Sequence, residues 1–147
     1  MNSSRVEDLL AIQDLIGRYG LVVDRRDWDA FDELFSPDAE FDYTAMGAIA
    51  GGLAEVKQYL ADTMPIFAKT QHMMGLPVID VHGDTASATT TCHNPLVIND
   101  GDDPQVLLCG LWYHHELRRT PAGWRITKLV EERCYMKMLP QKREKSN

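Results

Sequence analysis

The sequence predicts an α+β fold, with helices first and a strongly bent, mixed or antiparallel sheet wrapped around them. Three observations predict it. Apolar residues recur at steps of three or four ahead of Pro65, the period of helices. Beyond Pro65 the chain changes to long, strand-like runs. Turn sequences then separate four such runs, which makes three consecutive hairpins. A long bent sheet around three N-terminal helices forms a cone, and its open end is a natural pocket.

The first helix opens at Ser4 and Glu7, spaced as a capping box, with Ser4 as the cap. Its buried stripe is Val6, Leu9, Ile12, Ile16, Tyr19 and Val23, and Gly17 and Gly20 allow a second backbone to come close. Asp27 caps a short second helix that buries Trp28, Phe31, Leu34 and Phe35 and ends at Ser36-Pro37-Asp38. Residues 40–43 alternate polar and aromatic, as a short strand does. Residues 45–52 read as an Ala/Gly-rich loop, and Leu53, Val56, Tyr59, Leu60 and Met64 mark a third helix. The four long strands are expected at residues 71–81, 85–98, 106–119 and 124–138, joined by turns at 82–84 and 120–123 and an exposed loop at 99–104. One domain spans residues 1–139, and 140–147 form a frayed tail.

With 147 residues and a formal charge of −7, the chain argues against broad nucleic-acid binding and against attraction to anionic membranes. No apolar run reaches the roughly 20 residues of a membrane helix. The opening MNSSRVEDLL lacks the apolar stretch of a signal peptide, so the expected location is cytoplasmic. Cys92, Cys109 and Cys134 form no CxxC pair and read as buried free thiols. No HxH, HExxH or carboxylate cluster is present, and His114-His115 point to opposite faces of a strand, so no metal site is expected. Gly51-Gly52 lacks the surroundings of a phosphate loop. The reading is a protein without a cofactor.

Three stretches then carry a resemblance: Val23-Asp24-Arg25-Arg26-Asp27-Trp28-Asp29, Ser36-Pro37-Asp38-Ala39-Glu40-Phe41-Asp42-Tyr43, and Gln71-His72-Met73-Met74-Gly75. Over residues 8–136 the chain resembles the SnoaL-like branch of the NTF2-like superfamily, whose members include scytalone dehydratase, lindane dehydrochlorinase and bacterial bile-acid 7α-dehydratase. The resemblance implies the NTF2-like cone. It also implies that Asp24 pairs with His72 as general base, with Tyr19 and Tyr43 at tyrosine positions of the site. The pocket arginine of the dehydrochlorinase falls at Leu129, and the second catalytic histidine of scytalone dehydratase has no counterpart. In such a pair the carboxylate fixes the imidazole tautomer and steadies the imidazolium, leaving the other nitrogen to take a proton from carbon. A tyrosine hydroxyl can hold a carbonyl oxygen as charge develops. Asp24 as a helix end and Tyr19 as core packing are the alternative readings.

Strand parity supplies further candidates. On residues 85–98 the more apolar face carries Ala86, Ala88, Thr90, Cys92 and Asn94, which makes Asn94 a substrate contact, while His93 faces away. On the last strand Leu129, Glu131, Arg133 and Tyr135 share a face, and Arg133 either anchors an anionic group or pairs with an acid such as Glu131. Trp112 reads as a pocket wall or as packing between subunits. The expected activity is a cofactor-independent lyase acting on a small, mostly apolar hydroxylated or halogenated ring compound. An isomerase or polyketide cyclase of the same fold and a non-catalytic small-molecule binder are the alternatives. Leu108, Cys109, Leu111, Trp112 and Tyr113 run almost unbroken, more apolar surface than one cavity hides, so a homo-oligomer is expected. The resemblance implies a trimer, with a dimer as the alternative.

Overall fold

The computed structural model describes residues 3–98, 102 and 104–139; the expected tail at 140–147 and most of the loop at 99–104 lie outside the described residues. Helix α1 spans Ser3–Arg25, α2 Trp28–Asp32 and α3 Leu53–Thr63. Helix α1 includes Ser3, so Ser4 stands inside its first turn and is not the cap. Asp27 does cap α2, accepting from the Ala30 amide at 3.1 Å. The α1 stripe is buried from Ile12 onward, through Leu15, Ile16, Tyr19 and Val23, whereas Val6 is exposed.

The strands are β1 (Phe35–Asp42), β2 (Ala50–Gly52), β3 (Phe67–Thr70), β4 (Met73–Met74), β5 (Val78–His82), β6 (Thr85–Ile98), β7 (Gln105–Thr120) and β8 (Gly123–Met138). They form one sheet in the order β2-β1-β8-β7-β6-β3, with β4 and β5 also pairing to β6. The expected antiparallel meander is present in β5 through β8, and the sheet as a whole is mixed, one of the two expected forms, because β1 runs parallel to β8. The strand expected at residues 71–81 is instead three short pieces, β3, β4 and β5, all paired with β6. Pro77 has no amide to donate, and the register against β6 shifts within β3, so this edge bends in steps. Residues 50–52, read as loop, pair with β1, and β1 starts at Phe35, before the Pro37 that was expected only to end a helix. A register shift between Phe35 and Glu40 accommodates that proline.

The core lies between the concave sheet face and the helices. Phe31, Phe35, Phe41 and Tyr19 form its aromatic centre, with Phe31–Phe35 and Phe35–Phe41 ring centroids 4.8 and 4.7 Å apart. Among the described residues no helix is long and apolar enough to cross a membrane. Cys92 and Cys109 are buried as expected, but Cys134 is exposed, because it is the extra residue where β8 slips register against Gly110 and Leu111.

Candidate active site

Inside the cone is a cavity of about 310 Å³. Its walls are largely apolar, with Val23, Leu60, Phe67, Leu96, Leu107 and Leu111 among them. Polar side chains also face it, notably Tyr19, Tyr43, Tyr113, His72, Asn94 and Glu131. A few polar groups in an apolar concavity are the usual composition of a small-molecule site.

Asp24 stands on the last turn of α1, which ends where Arg26 takes a left-handed φ of 56°. That turn aims the Arg26 side chain at the carbonyls of Met64 and Phe67, pinning the segment that forms one lip of the cavity. His72 sits between β3 and β4, close against α1. A methyl group on Gly20 would fall 2.9 Å from the His72 Cβ, so only glycine lets strand and helix meet here. Of the two glycines expected to permit close approach, Gly20 does so and Gly17 faces open space.

The Asp24 carboxylate accepts three hydrogen bonds. Thr70 Oγ1 donates to Oδ1 and the His72 amide to Oδ2, each at 2.8 Å, and His72 Nδ1 approaches Oδ1 at 2.6 Å. A carboxylate only accepts, so the ring proton belongs on Nδ1 and Nε2 keeps its lone pair. Burial works to raise the Asp24 carboxyl. The bond and charge of His72, its amide and the Thr70 hydroxyl outweigh that and hold the group below the usual carboxylate range. The His72 side chain is only 5% exposed, so the lone pair on Nε2 is shielded from bulk water.

Asn94, expected to touch substrate, touches His72 itself. Its Nδ2 donates toward His72 Nε2 at 3.1 Å, and its Oδ1 is buried without a partner. The nitrogen expected to be free is therefore capped by an amide that a ligand must displace. Tyr19 and Tyr43 are both buried, and their hydroxyls lie 2.8 Å apart. Burial drives both phenols well above their ordinary value, so both stay neutral donors. The Tyr19 ring meets His72 edge-on at 6.0 Å and Tyr113 edge-on at 5.3 Å.

Two expected site residues are elsewhere. Trp112 does not line this cavity: Leu111 and Tyr113 face inward, and alternation turns Trp112 to the outer face beside His93, Cys134 and Tyr135. Arg133 is exposed and does not line the cavity; its Nε donates to the Ala45 carbonyl at 2.7 Å, tying down the segment whose Met46, Gly47 and Ala48 cover the mouth. The slip at Cys134 also turns Tyr135 outward, away from the face of Glu131, where its hydroxyl meets His93 Nδ1 at 2.5 Å. His93 faces away from the cavity, as parity suggested.

Glu131 and Tyr113 were not singled out as site residues, although the parity that put Leu129 and Glu131 on one face contained the signal. They are directly paired across β7 and β8 and both line the cavity. Burial pushes the Glu131 carboxyl up to about 8, with the charge of Asp42 adding to the effect and a hydrogen bond from Tyr113 opposing it. Its Oε2 is buried without a hydrogen-bond partner. His114 and His115 do face opposite ways: His114 reaches Glu132 at 2.6 Å and His115 is 2% exposed. Among the described residues no three His, Cys, Asp or Glu side chains gather as a metal site.

Comparison with known proteins gives three kinds of likeness. The model of the SnoaL-like domain matches residues 4–130. An uncharacterized protein of Mycobacterium tuberculosis is 42% identical over 139 residues, covering 95% of this chain and 94% of its own. Among solved structures, a proposed aromatic ring hydroxylase from Novosphingobium aromaticivorans superposes with a TM-score of 0.82 at 28% identity, over 91% of this chain and 94% of that one. A proposed scytalone dehydratase from the same species gives 0.80 at 18% identity, over 93% and 91%. A hexachlorocyclohexane dehydrochlorinase from Novosphingobium barchaimii gives 0.76 at 22% identity, over 92% of each chain. The last two likenesses concern the fold alone.

Proposed function

Because the chain belongs to the SnoaL-like family and shares the fold of the NTF2-like superfamily, we propose that it is a lyase that eliminates water or halide from a small, mostly apolar ring compound in the cytoplasm. Structures that share its fold include a proposed scytalone dehydratase and a hexachlorocyclohexane dehydrochlorinase, which supports the reading of a small-molecule-processing enzyme. The observation that carries the reading is the His72 ring at the cavity wall, bonded to Asp24 at 2.6 Å on one nitrogen and capped only by the Asn94 amide at 3.1 Å on the other. In this reading Nε2 releases Asn94 and takes a proton from carbon. Asp24 stabilises the imidazolium that forms, and the proton then leaves with the departing group. Tyr19 and Tyr43, bonded to each other, complete the polar wall beside the ring. A protein that only stores a ligand has no need of an imidazole oriented by a buried carboxylate.

The test is a mass-resolved screen of hydroxylated and halogenated cyclic compounds with wild type and His72→Ala. The expected result is loss of water or hydrogen halide by the wild type and a drop of about 10²–10⁴-fold in the variant. Product of unchanged mass points to an isomerase or cyclase with the same base. Equal turnover by His72→Ala removes the base from the account.

We also infer a homotrimer. The support is the outer sheet face with Trp112, Cys134 and Tyr135, together with exposed Met73, Leu76 and Val78.

A further inference from the structure

The cavity holds an acid and no base of matching strength. Glu131 lines it, whereas no lysine or arginine does. Arg133, two residues further along β8, is turned to the Ala45 carbonyl. Glu131 stands opposite Tyr113 on β7, and its Oε2 is buried with no hydrogen-bond partner. A carboxylate withdrawn from water needs a cation or a full set of donors, and the walls supply one phenol. Asp42 bears on Glu131 from β1 and stays ionised, because the Thr44 amide and hydroxyl both donate to it. Tyr19, Tyr43 and Tyr113 lie close enough to feel the charge of Glu131, and all three line the same cavity. A carboxylate among aromatic rings, with a second negative charge behind it, is the surrounding an ammonium group prefers. We propose that Glu131 anchors an ammonium group, and that the ring compound taken by this cavity therefore carries a basic amine.

Each class of ligand meets these groups differently. An anion is repelled by Glu131 and Asp42 in a medium that screens poorly. An uncharged ring fills the apolar walls but leaves Oε2 as it was. An ammonium group gives the carboxylate charge-assisted hydrogen bonds, and the tyrosine faces attract the same cation. The net charge of −7 draws cations toward the protein as a whole. Binding also moves a proton. In the empty cavity burial keeps the proton on Glu131 up to about 8. An entering ammonium takes the place of that proton, so the cavity gains one cation and gives one proton to solvent. The other acids around Glu131 do not supply it. Tyr19 on α1, Tyr43 after β1, Cys92 on β6, and Cys109 and Tyr113 on β7 are all pushed up by burial and keep their protons at neutral pH. Asp42 has already lost its own.

The inference rests on the reading of this cavity as the substrate site, and its test needs no turnover. The probes are 1-aminoindane and indane, the same ring with and without the amine. Each is titrated by calorimetry in phosphate and in Tris, whose different ionisation enthalpies reveal proton release. At about pH 7 the wild type is expected to release about 0.9 proton per amine bound, since a group half-ionised at about 8 is mostly protonated there. Indane releases none. Glu131→Gln is expected to release none and to bind the amine about 10–100-fold more weakly. In the wild type the amine affinity should rise by about tenfold per pH unit toward 8 and then level off, while the affinity for indane does not rise. That arm stands even if the variant folds poorly. His72→Ala is expected to keep both the release and the preference for the amine. No amine binding, equal amine affinity in wild type and Glu131→Gln, or binding without proton release overturns the role of Glu131 while leaving His72 untouched. Amine binding with proton release, but no elimination from any hydroxylated or halogenated cyclic amine, overturns the His72 reading while leaving the anchor in place.

Discussion

Replacing Glu131 with glutamine stabilises this protein near neutral pH. In the unfolded chain the carboxyl ionises at its ordinary value of 4.5, whereas in the fold it holds its proton up to about 8. The folded state therefore binds more protons than the unfolded state across that interval. The sign follows directly. The contribution is fully present below 4.5 and is lost as pH climbs toward 8. Each unit of pH is worth about 1.4 kcal/mol, so at pH 7 the retained acid costs up to about 3 kcal/mol. Solvent reaching the half-buried side chain makes this an upper figure. Glutamine keeps the shape and the neutrality without the titration. The assay is urea unfolding of wild type and Glu131→Gln at about pH 5, about 7 and about 8.5, extrapolated to water. Other groups titrate in both proteins, so the difference isolates Glu131. The variant should gain stability steadily with pH and match the wild type near the acid end. A difference that does not change with pH refutes the reasoning. Such a gain is the usual signature of a residue kept for activity at the expense of stability.

Asp24→Asn should lose about 2–3 kcal/mol in urea unfolding, since it weakens charge-assisted bonds at 2.6 and 2.8 Å; its elimination rate should fall by about 10⁴-fold as the ring tautomer is released. His115 is buried with both ring nitrogens unpartnered, and burial lowers its value from 6.5 to about 4. The unfolded chain takes up that proton first, so the wild type should lose about 3 kcal/mol as pH falls through this window and His115→Leu should not, measured by urea titration. Gly20→Ala pushes a methyl to 2.9 Å from the His72 Cβ and should lower the melting temperature, with a cost of about 1–3 kcal/mol. Light scattering should give three times the 16.6 kDa chain mass, and a clean monomer contradicts the assembly.

The helices and the β6–β8 meander were legible because each buries one face, and burial writes a period into the sequence. The pairing of Asp24 with His72 was legible only through the resemblance, since no local pattern links residues 48 apart. What stayed hidden depends on register. A single extra residue at Cys134 reverses the parity of the β8 end, which is why Tyr135 turns outward. β7 is apolar on both faces, so its run of residues could not say which side holds Trp112. Glu131 looked like an ordinary strand acid with an arginine two residues on. Its neighbour Tyr113 lies on the adjacent strand and the cavity wall it joins is built from several elements, and one strand's pattern does not contain them.

The central claim is that His72, set by Asp24, removes a proton from carbon inside this cavity. The most direct measurement is hydrogen–deuterium exchange at the alpha carbon of 1-tetralone in heavy water, followed by proton NMR with wild type and His72→Ala at equal concentration. The account predicts catalysed exchange by the wild type, reduced by about 10²–10⁴-fold in the variant. Exchange that is equal in the two proteins, or no faster than in buffer alone, contradicts it.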